Sequence, residues 1–528
     1  MIKKLLALVA ILVSSLSFAQ NDIDAMRYSQ TSSYGDARFM AMGGAFGSLG
    51  ANVSCINFNP AGIAMYRKGE LVVTPGLQFQ AADAAHYGTS SSDFSTKLSL
   101  SNLGLVAAWD QKPMSMQTNN GYQPYNGDRY GPGSNKPTQT QQPKPTQSIP
   151  DRWAFGIDFN RVVDFNYHTT ISGIVPAASS ITSDMAGRAN GNSTTNLDQF
   201  NEGLFYQQGL ITPYTNSNTM AFDSTGTHYA PLAVYDPPNT MFQQTKTIQS
   251  SGRVGELGLA LAHSFHDRFY FGGSIGVPFV KYNYQSTLTE SDYKNMDSYF
   301  STLSFQENVV TSGVGINAKI GGIYRFNSGV KVGVYGQTPT DYKLNDNYQN
   351  TLNATYDGSY SQYNGSISSP SGTYAYKFHT PARGGASVSY VFKKLLAFSV
   401  DGEYVDYATA RYPNNIDFFD ANATIRQKYK GTANIKAGIE LNVRPVVLRA
   451  GFGSYGSPFG DVLSGKFVRN SFSGGVGFRG THNVYLDLGF IYTRWADKYY
   501  VIDPMYVQPS NINYSTLYIT ATLGIKFN

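Results

Sequence analysis

Three glycine and serine positions in this chain match a pattern that hydrolases use. Gly272, Ser274 and Gly276 satisfy G-x-S-x-G, in which a serine nucleophile stands on a sharp turn between a strand and a helix. Here the three residues lie in a stretch where apolar and polar residues alternate, and this alternation predicts a strand without such a turn. We therefore interpret the match as a coincidence within a glycine-rich strand.

Two other patterns also lack the element that would make them functional. Gly475, Gly477 and Gly480 satisfy the dinucleotide-binding spacing G-x-G-x-x-G, but no helix is predicted to follow and bind a pyrophosphate. His263 and His266 are three residues apart, which places them on opposite faces of a strand and predicts no shared metal. The sequence thus predicts no enzyme, no cofactor and no metal site.

A set of charged residues alternates with apolar ones in the second half of the chain. Paired charges at alternate positions are typical of the wet interior of a β-barrel, and this interpretation is favoured over a catalytic one. The predicted lumen residues are Asp401, Glu403, Glu440 and Asp487, together with Lys331, Lys436 and Arg479.

The composition narrows the class of protein. Charged residues make up 14% of the chain, aromatic residues another 14%, and there are 53 glycines, which suits short twisted strands with interfacial aromatic residues. The net charge of +5 shows no basic block, so a nucleic-acid partner is not expected. Cys55 is the single cysteine, so no intrachain disulfide forms.

The N-terminus has the pattern of a secretory signal peptide. MIKKLLALVAILVSSLSFAQ combines two lysines, an apolar core and small residues before Gln20. Its apolar stretch is shorter than the roughly 20 residues that a membrane-spanning helix needs. We expect residues 1–19 to be removed on export.

Alternation with a period of two dominates the chain from residue 70 onward. In the final segment, 514–528, apolar residues from Leu517 to Phe527 alternate with threonines, Tyr518 and Lys526, so one face suits hydrocarbon and the other suits water. Segments 429–443 and 484–492 repeat the pattern. The whole region predicts an all-β fold, a transmembrane antiparallel β-barrel of about fourteen strands. The predicted strands lie near 70–80, 100–110, 152–168, 253–265, 268–287, 302–326, 329–349, 372–392, 395–409, 428–443, 446–456, 469–480, 483–497 and 514–528.

Connection lengths support this interpretation, because outer-membrane barrels join short periplasmic turns to longer external loops. The predicted turns are His266-Asp267, Asn327-Ser328, Lys393-Lys394, Arg444-Pro445 and Thr481-His482. The predicted external loops are 288–301, 350–371, 410–427, 457–468, 498–513 and the longest, 169–252. Residues 111–151 are predicted to be a disordered insertion facing the periplasm, where they could reach a partner. A soluble sandwich, whose apolar faces a second sheet would bury, remains the alternative.

Residues 20–69 precede the first strand and are rich in small side chains. The run GGAFGSLGANVSCINFNPAGIA suits short helices that pack closely, and Asn59-Pro60 should end one of them and begin a turn. Two interpretations stay open at this point: a compact hatch inside the barrel, or a leader that packs outside it.

The run GDARFMAMGGAFGSLGANVSCINFNPAGIAMYRKGELVVTPGLQF resembles the N-terminal region of the FadL/TodX family of outer-membrane channels for hydrophobic compounds. The hatch signature of that family, Asn-Pro-Ala, corresponds to Asn59, Pro60 and Ala61. The resemblance implies a barrel in the outer membrane of a diderm bacterium, with 20–69 as a hatch in the lumen of a barrel formed by 70–528. It also implies external loops that capture the ligand, and release through the barrel wall into membrane lipid without an energy source. The 111–151 insertion and the ending Phe527-Asn528 depart from the family pattern.

One loop segment has the residues that ligand capture would need. In LDQFNEGLFYQQG, Leu197, Phe200 and Leu204 fall at helical spacing with Phe205 beside them, and Gly209 is a possible helix end. We predict a helix whose apolar face captures ligand. The alternative is that these side chains only hold the loop over the barrel mouth.

The functional hypothesis is passive transport of long-chain fatty acids or aromatic hydrocarbons through a barrel gated by its hatch. Haemin uptake is a second possibility, because a tyrosine or histidine could bind haem iron, although 39 tyrosines make that criterion weak. A third is a structural or assembly partner of an export machine, tethered through 111–151. Ligand extraction, haem titration and affinity purification would distinguish the three.

Overall fold

The computed structural model describes residues 22–30, 32–110, 151–215, 222–231, 239–294, 300–413, 418–460, 468–480 and 483–527. The predicted signal peptide 1–19 lies outside these residues, as does the predicted insertion 111–151 except for Asp151.

The chain forms one large antiparallel sheet that closes on itself, because the first strand pairs with both the second and the last. The barrel strands are β1 (Gly69–His86), β2 (Thr89–Asp110), β3 (Arg152–Asp164), β4 (Tyr167–Pro176), β7 (Met241–Phe265), β8 (Phe269–Asp292), β9 (Phe300–Arg325), β10 (Val330–Gln337), β11 (Asp341–Tyr356), β12 (Gly365–Ser368), β13 (Gly372–His379), β14 (Arg383–Phe392), β15 (Leu396–Asp406), β16 (Gly431–Val443), β17 (Val446–Tyr455), β18 (Arg469–Arg479), β19 (Val484–Tyr499) and β20 (Ser510–Phe527). A separate hairpin joins β5 (Ile211–Tyr214) to β6 (His228–Pro231).

Some successive segments share one position in the wall. Both β3 and β4 pair with β7, and both β10 and β11 pair with β9. Segments β12 and β13 pair with β11, while β14 pairs with β10. The eighteen segments therefore make fourteen strand positions, which confirms the predicted antiparallel barrel. Because the sheet closes on itself, the alternative of two stacked sheets is wrong.

The outer face of the barrel carries an apolar belt. On β8, Phe271 and Ile275 are 46% and 55% exposed, whereas the alternate residues Tyr270 and Ser274 are buried. The same alternation recurs on β20, where Ile519 and other outward residues are exposed. A continuous exposed apolar surface of this kind is stable in lipid and not in water. No helix among the described residues has both the length and the apolar character needed to cross a membrane.

Four of the five predicted tight turns connect paired strands as expected. They are His266-Asp267, Asn327-Ser328, Lys393-Lys394 and Arg444-Pro445, each at the end of an antiparallel ladder. The fifth, Thr481-His482, lies outside the described residues, although the strands on either side of it pair.

At the opposite end of the barrel, several strands are longer than predicted. Strands β1 and β2 continue to a turn at Tyr87-Gly88, where the sequence predicted a break from 81 to 99. The predicted loop 169–252 is wrong at both ends, because β4 runs to Pro176 and β7 begins at Met241. The predicted loops 288–301, 350–371 and 498–513 are shortened in the same way. Outside hydrocarbon, a strand keeps its ladder without needing an apolar face, so alternation does not reveal it.

Short helices fill the barrel and cover its mouth. The α-helices are α1 (Asp22–Ser29), α2 (Ala37–Ala41), α3 (Ile181–Ala189), α4 (Glu202–Gln207) and α5 (Phe419–Lys428), and 3₁₀ helices span Val53–Asn57, Pro60–Met65, Ala177–Ser179, Gly358–Tyr363 and Tyr407–Thr409. The predicted loops 169–252 and 410–427 thus contain regular structure, α3 and α4 in one and most of α5 in the other.

Candidate functional site

Residues 32–68, called the hatch here, pack inside the barrel. Phe39, Phe46, Cys55 and Ile63 form an apolar cluster with inward residues of the wall such as Val106. Burial raises the pKa of the Cys55 thiol to about 12, so at neutral pH the side chain is a protonated, apolar packing group. The hatch is therefore the lumenal plug that the fold was expected to contain.

The Asn-Pro-Ala signature holds the hatch together. Asn59 Oδ1 accepts a hydrogen bond from the Ala61 amide at 3.2 Å, and Asn59 Nδ2 donates to the Gly47 carbonyl at 2.5 Å. Pro60 occupies the first position of the 3₁₀ helix Pro60–Met65, where its missing N–H costs nothing. The signature residues are therefore buried. They position the hatch and do not face the open part of the lumen.

Inward-facing glycines of the wall make room for this signature. A Cβ on Gly321 would lie 1.8 Å from Asn59 Oδ1, and one on Gly272 would lie 2.7 Å from the backbone of Pro60. Ser274 donates to the Ile56 carbonyl at 2.8 Å. The G-x-S-x-G pattern is therefore part of the surface that receives the hatch.

The glycines of the second pattern have a similar role. A Cβ on Gly475 would lie 2.7 Å from the Ala41 side chain in α2, and one on Gly477 would meet Asp487. The sequence analysis missed this function. The local signal is the high share of glycine and serine in this strand, RNSFSGGVGFR.

A chain of buried charges ties α2 to the wall. Arg38 Nε donates to Glu440 at 2.8 Å, and Arg449 donates to both Glu440 and Asp487 at 2.7 and 2.9 Å. Arg479 contacts Asp487 at 2.8 Å. The prediction that these carboxylates line a wet lumen is wrong, because the hatch covers them and Asp487 is 1% exposed. Each charge is instead compensated by a fixed partner.

The other predicted lumen charges also contact the hatch or the wall. Asp401 accepts from the Gly47 amide at 3.1 Å, and Lys331 donates to the Leu49 carbonyl at 2.7 Å. Lys436 lies over the Phe58 ring at 4.5 Å. Glu403 accepts from Asn434 at 2.9 Å. The contacts of Asp401, Lys331 and Lys436 fix the position of the hatch, whereas the bond between Glu403 and Asn434 joins two strands of the wall.

An aromatic cluster surrounds α1 beyond the hatch. The Tyr28 ring lies 6.2 Å from each of Phe165, Tyr342 and Phe378, measured between centroids. Arg27, which pairs with Asp24, lies over the Tyr282 ring at 4.2 Å. Nineteen buried apolar or aromatic residues form this cluster, and seven of them are tyrosines: Tyr28, Tyr282, Tyr342, Tyr376, Tyr407, Tyr412 and Tyr429.

The barrel wall is interrupted beside this cluster. The ladder between β2 and β3 covers Asn102–Asp110 on β2, and among the described residues β4 has a backbone ladder with β7 alone. We call the boundary between β2 and β4 the seam. At this boundary the described strands lack continuous backbone hydrogen bonds.

Side chains of the β1–β2 hairpin hold the seam closed. Gln80 Oε1 accepts from the His168 amide at 3.2 Å, and Asp93 accepts from the Thr170 amide at 2.5 Å. Ser91 Oγ donates to the Thr170 carbonyl. Separating side chains from a strand edge breaks fewer bonds than separating two paired strands. The sequence analysis did not identify this feature.

A kink between β3 and β4 connects the aromatic cluster to the outside. Phe165, at the kink, is 5% exposed and contacts Tyr28 and Tyr282. The next three residues, 166–168, line a cavity of about 520 Å³ at the seam. Opposite the kink, Gly252 has a φ of +123° and accepts from the Phe165 amide through its carbonyl at 3.1 Å. The kink between β3 and β4 therefore separates the buried aromatic cluster from a cavity that is open to the outside.

The predicted capture residues pack into the loop that covers the mouth. Leu197, Leu204 and Phe205 are 7%, 2% and 0% exposed and belong to one buried cluster, and the Phe200 ring lies 4.9 Å from the Tyr348 ring in a tilted arrangement. The helix is Glu202–Gln207, so Leu197 and Phe200 precede it and the predicted helical spacing is wrong there. Because Leu197, Leu204 and Phe205 are buried, their arrangement favours the role of holding the loop.

The two predicted histidines stay apart. His263 is buried against the Trp153 ring at 4.4 Å, whereas His266 is an exposed turn residue. Among the residues that the structure describes, no group of three or more His, Cys, Asp or Glu side chains has an arrangement that would hold a metal ion.

Comparison with known proteins gives similarity at the level of fold. No protein-family model matches the chain, and no curated protein is similar enough to match. The solved toluene transporter TodX of Pseudomonas putida has a TM-score of 0.50 and 10% identity, over 94% of this chain and 99% of that one. A FadL homologue of Pseudomonas aeruginosa has a TM-score of 0.49 and 11% identity, over 94% and 99%. The Ralstonia pickettii toluene transporter TbuX has a TM-score of 0.46 and 13% identity, again over 94% and 99%.

Fold and site together define a plugged β-barrel of the outer-membrane type. The likeness to TodX extends over nearly the full length of both chains. The fold is therefore that of TodX, as the N-terminal resemblance implied.

Proposed function

We propose that this protein is a passive channel for hydrophobic small molecules in the outer membrane of a diderm bacterium. The observation that carries the proposal is the interrupted wall beside the buried aromatic cluster. An insoluble compound gains roughly 25 cal/mol for each Å² of apolar surface removed from water. An interior lined by aromatic rings would bind such a compound. The interruption of the wall beside it would let the compound leave.

The proposed route bypasses the hatch. The charge chain from Arg38 to Asp487 and the Asn59 contacts hold the hatch against the wall. The aromatic cluster lies beyond it, and Phe165 separates the cluster from the seam cavity. Movement of the short helix α1 and of Phe165 is a smaller change than removal of the hatch. Ligand would therefore enter at the mouth, replace part of the aromatic packing and leave through the seam.

The likeness to TodX, a toluene transporter, is consistent with this proposal. Haemin uptake and a role in an export machine have no comparable support among the described residues. The segment on which the assembly hypothesis depends, 111–151, lies almost wholly outside them. The capture role of Leu197, Phe200, Leu204 and Phe205 remains a prediction, and the burial of Leu197, Leu204 and Phe205 means that the loop would have to open first.

Uptake measurements test the proposal. Host cells that lack such channels would express either this protein or an unrelated outer-membrane barrel at the same level, and receive labelled aromatic compounds and labelled lauric acid. We expect faster uptake of at least one compound with this protein. Replacing Phe165 with Ala removes the ring between the aromatic cluster and the cavity and should raise that rate further. Equal uptake with both barrels for every compound would contradict the proposal.

A further inference from the structure

Most residues that line the cavity at the seam carry a polar group, which is unexpected for a hydrocarbon exit. Of its fourteen lining residues one, Val310, is aliphatic, and two are tyrosines. The remainder carry amide, hydroxyl, imidazole or amino groups, among them Asn166, His168, Gln249 and Gln285. Its volume of about 520 Å³ lies in the range of roughly 300–1,000 Å³ that is usual for small-molecule sites.

The cavity lies at the outer boundary of the apolar belt. On β8 the exposed apolar residues end at Phe279, and the next outward positions are Lys281, Asn283 and Gln285. On the other side of the seam, Leu98 of β2 is 75% exposed. A molecule that leaves here therefore enters the headgroup region first, where amphipathic molecules are stable.

The interior that precedes the cavity offers many rings to a ligand. Ten of the nineteen residues of the aromatic cluster are tyrosine or phenylalanine. Flat rings offer offset and edge-to-face contacts to an aromatic ligand that a flexible acyl chain does not use. The Asp24 and Arg27 charges in this region are already paired with each other, so a ligand carboxylate would have to compete with Asp24 for Arg27.

We infer that the transported ligand is a neutral aromatic compound that carries a hydroxyl or carbonyl group. This inference rests on the proposed function and narrows its substrate class. The aromatic cluster binds the ring of the ligand. As the ligand passes through the cavity, its oxygen atom takes over the hydrogen bonds that water makes with the amide side chains there. A pure hydrocarbon displaces that water without replacing its hydrogen bonds, so its passage is slower.

Gln249 and Gln285 allow a direct test of the cavity. They are opposite each other across the β7–β8 ladder, and both line the cavity. Replacing both with Leu keeps the side-chain size and removes four hydrogen-bonding groups. Asn345 and Asn347 of β11 are polar wall residues away from the cavity lining, so Leu at both positions provides a matched control.

The experiment compares uptake of naphthalene and 2-naphthol, which differ by one hydroxyl group, with lauric acid as the charged chain. In cells with the unaltered protein we expect 2-naphthol to enter about tenfold faster than naphthalene, after subtraction of the rate in cells with an unrelated barrel. The Gln249→Leu/Gln285→Leu variant should reduce this ratio severalfold, and the control variant should preserve it. The mobility shift of folded barrels on unheated gels shows that each variant folds.

The outcomes separate this inference from the proposed function. Transport of naphthalene or lauric acid at a rate equal to that of 2-naphthol would overturn the inference and leave the channel function intact. An unchanged ratio in the Gln249→Leu/Gln285→Leu variant would also overturn it, because the polarity of the cavity would then reflect only its position beside the headgroups. Failure of all three compounds to enter would overturn both.

Discussion

Gly321 and Gly322 are adjacent in β9 but face opposite sides of the barrel wall. A Cβ on Gly321 would collide with Asn59 Oδ1 at 1.8 Å, whereas a Cβ on Gly322 would have its nearest neighbour, the Tyr270 carbonyl, at 3.8 Å. A methyl group added at Gly321 should therefore disturb the hatch, whereas one added at Gly322 should not.

Substitution of these two glycines tests how the hatch is held. We expect Gly321→Ala to destabilise the folded protein by about 1–3 kcal/mol, because the added methyl group displaces the Asn59 side chain from its cap. Gly322→Ala should change stability by less than about 0.5 kcal/mol. Thermal unfolding in detergent measures the stability, and susceptibility of cells to large antibiotics measures leakage past the hatch. Equal effects of the two variants would contradict the packing described here.

At the scale of elements, the seam depends on a few side chains of one hairpin. Asp93 accepts hydrogen bonds from both the amide and the hydroxyl of Thr170. Asp83 lies in the same hairpin, is exposed, and has its described contact with Ser92. The two carboxylates therefore differ in whether they join β2 to β4.

Removing the Asp93 carboxylate should favour opening of the seam. Asp93→Ala leaves the Thr170 amide without its acceptor, which we expect to weaken closure by about 1–3 kcal/mol. The predicted result is a higher initial rate of ligand uptake, with Asp83→Ala unchanged as the control. If Asp93→Ala left the rate unaltered, closure of the seam would not limit transport.

The loop helix α4 gives a pH-dependent prediction. Burial raises the pKa of the Glu202 carboxyl, against hydrogen bonds from backbone amides including that of Asp198. The protonated form is therefore favoured in the folded loop, so this contribution to stability is full below the unfolded pKa of about 4.3 and is lost as pH rises through the folded pKa. We expect residues 198–207 to exchange amide hydrogens more slowly at pH 4.5 than at pH 7.5, after correction for intrinsic rates. Glu202→Gln should remove the difference; a difference that persisted would point to another group.

Local patterns predicted the strands in hydrocarbon well. In β20, outward Leu523 is 48% exposed and inward Thr522 is 1% exposed, as the alternation indicates. The strand ends beyond the belt could not be predicted, because TSSSDFS pairs with β1 through its backbone and has no apolar face to mark it.

Contacts between segments that are distant in the sequence could not be predicted either. Asp93 and Thr170 are 77 residues apart, and neither carries a local signal of the seam. Gly321 is similarly remote from Asn59. The hatch signature was recognisable because its cap and proline are adjacent, while the surfaces that receive it are assembled only by barrel closure.

At the scale of the whole molecule, the apolar belt determines where the barrel is stable. Ile275 lies near the middle of the exposed apolar residues of β8, which run from Phe269 to Phe279, and Thr287 lies on the same strand beyond them. The two positions lie at different depths in the lipid, and this difference should appear in the cost of placing a charge at each.

We expect Ile275→Arg to destabilise the barrel by about 2–4 kcal/mol in lipid vesicles, because a charge near the bilayer midplane is poorly solvated. Thr287→Arg should cost at most about 1 kcal/mol, because a charge near the interface is hydrated. Urea-dependent unfolding from vesicles measures both values. Equal costs would show that β8 does not cross the membrane at the depth inferred here.

The unequal strand lengths give the barrel an inclined rim. Strands β7, β8 and β9 contain 25, 24 and 26 residues, whereas β15, β16, β17 and β18 contain 11, 13, 10 and 11, and about 9–11 suffice to cross a bilayer. The tall side stands next to β4. In the proposed channel, a ligand that entered over the low edge would therefore have to cross the full width of the barrel before it reached the seam.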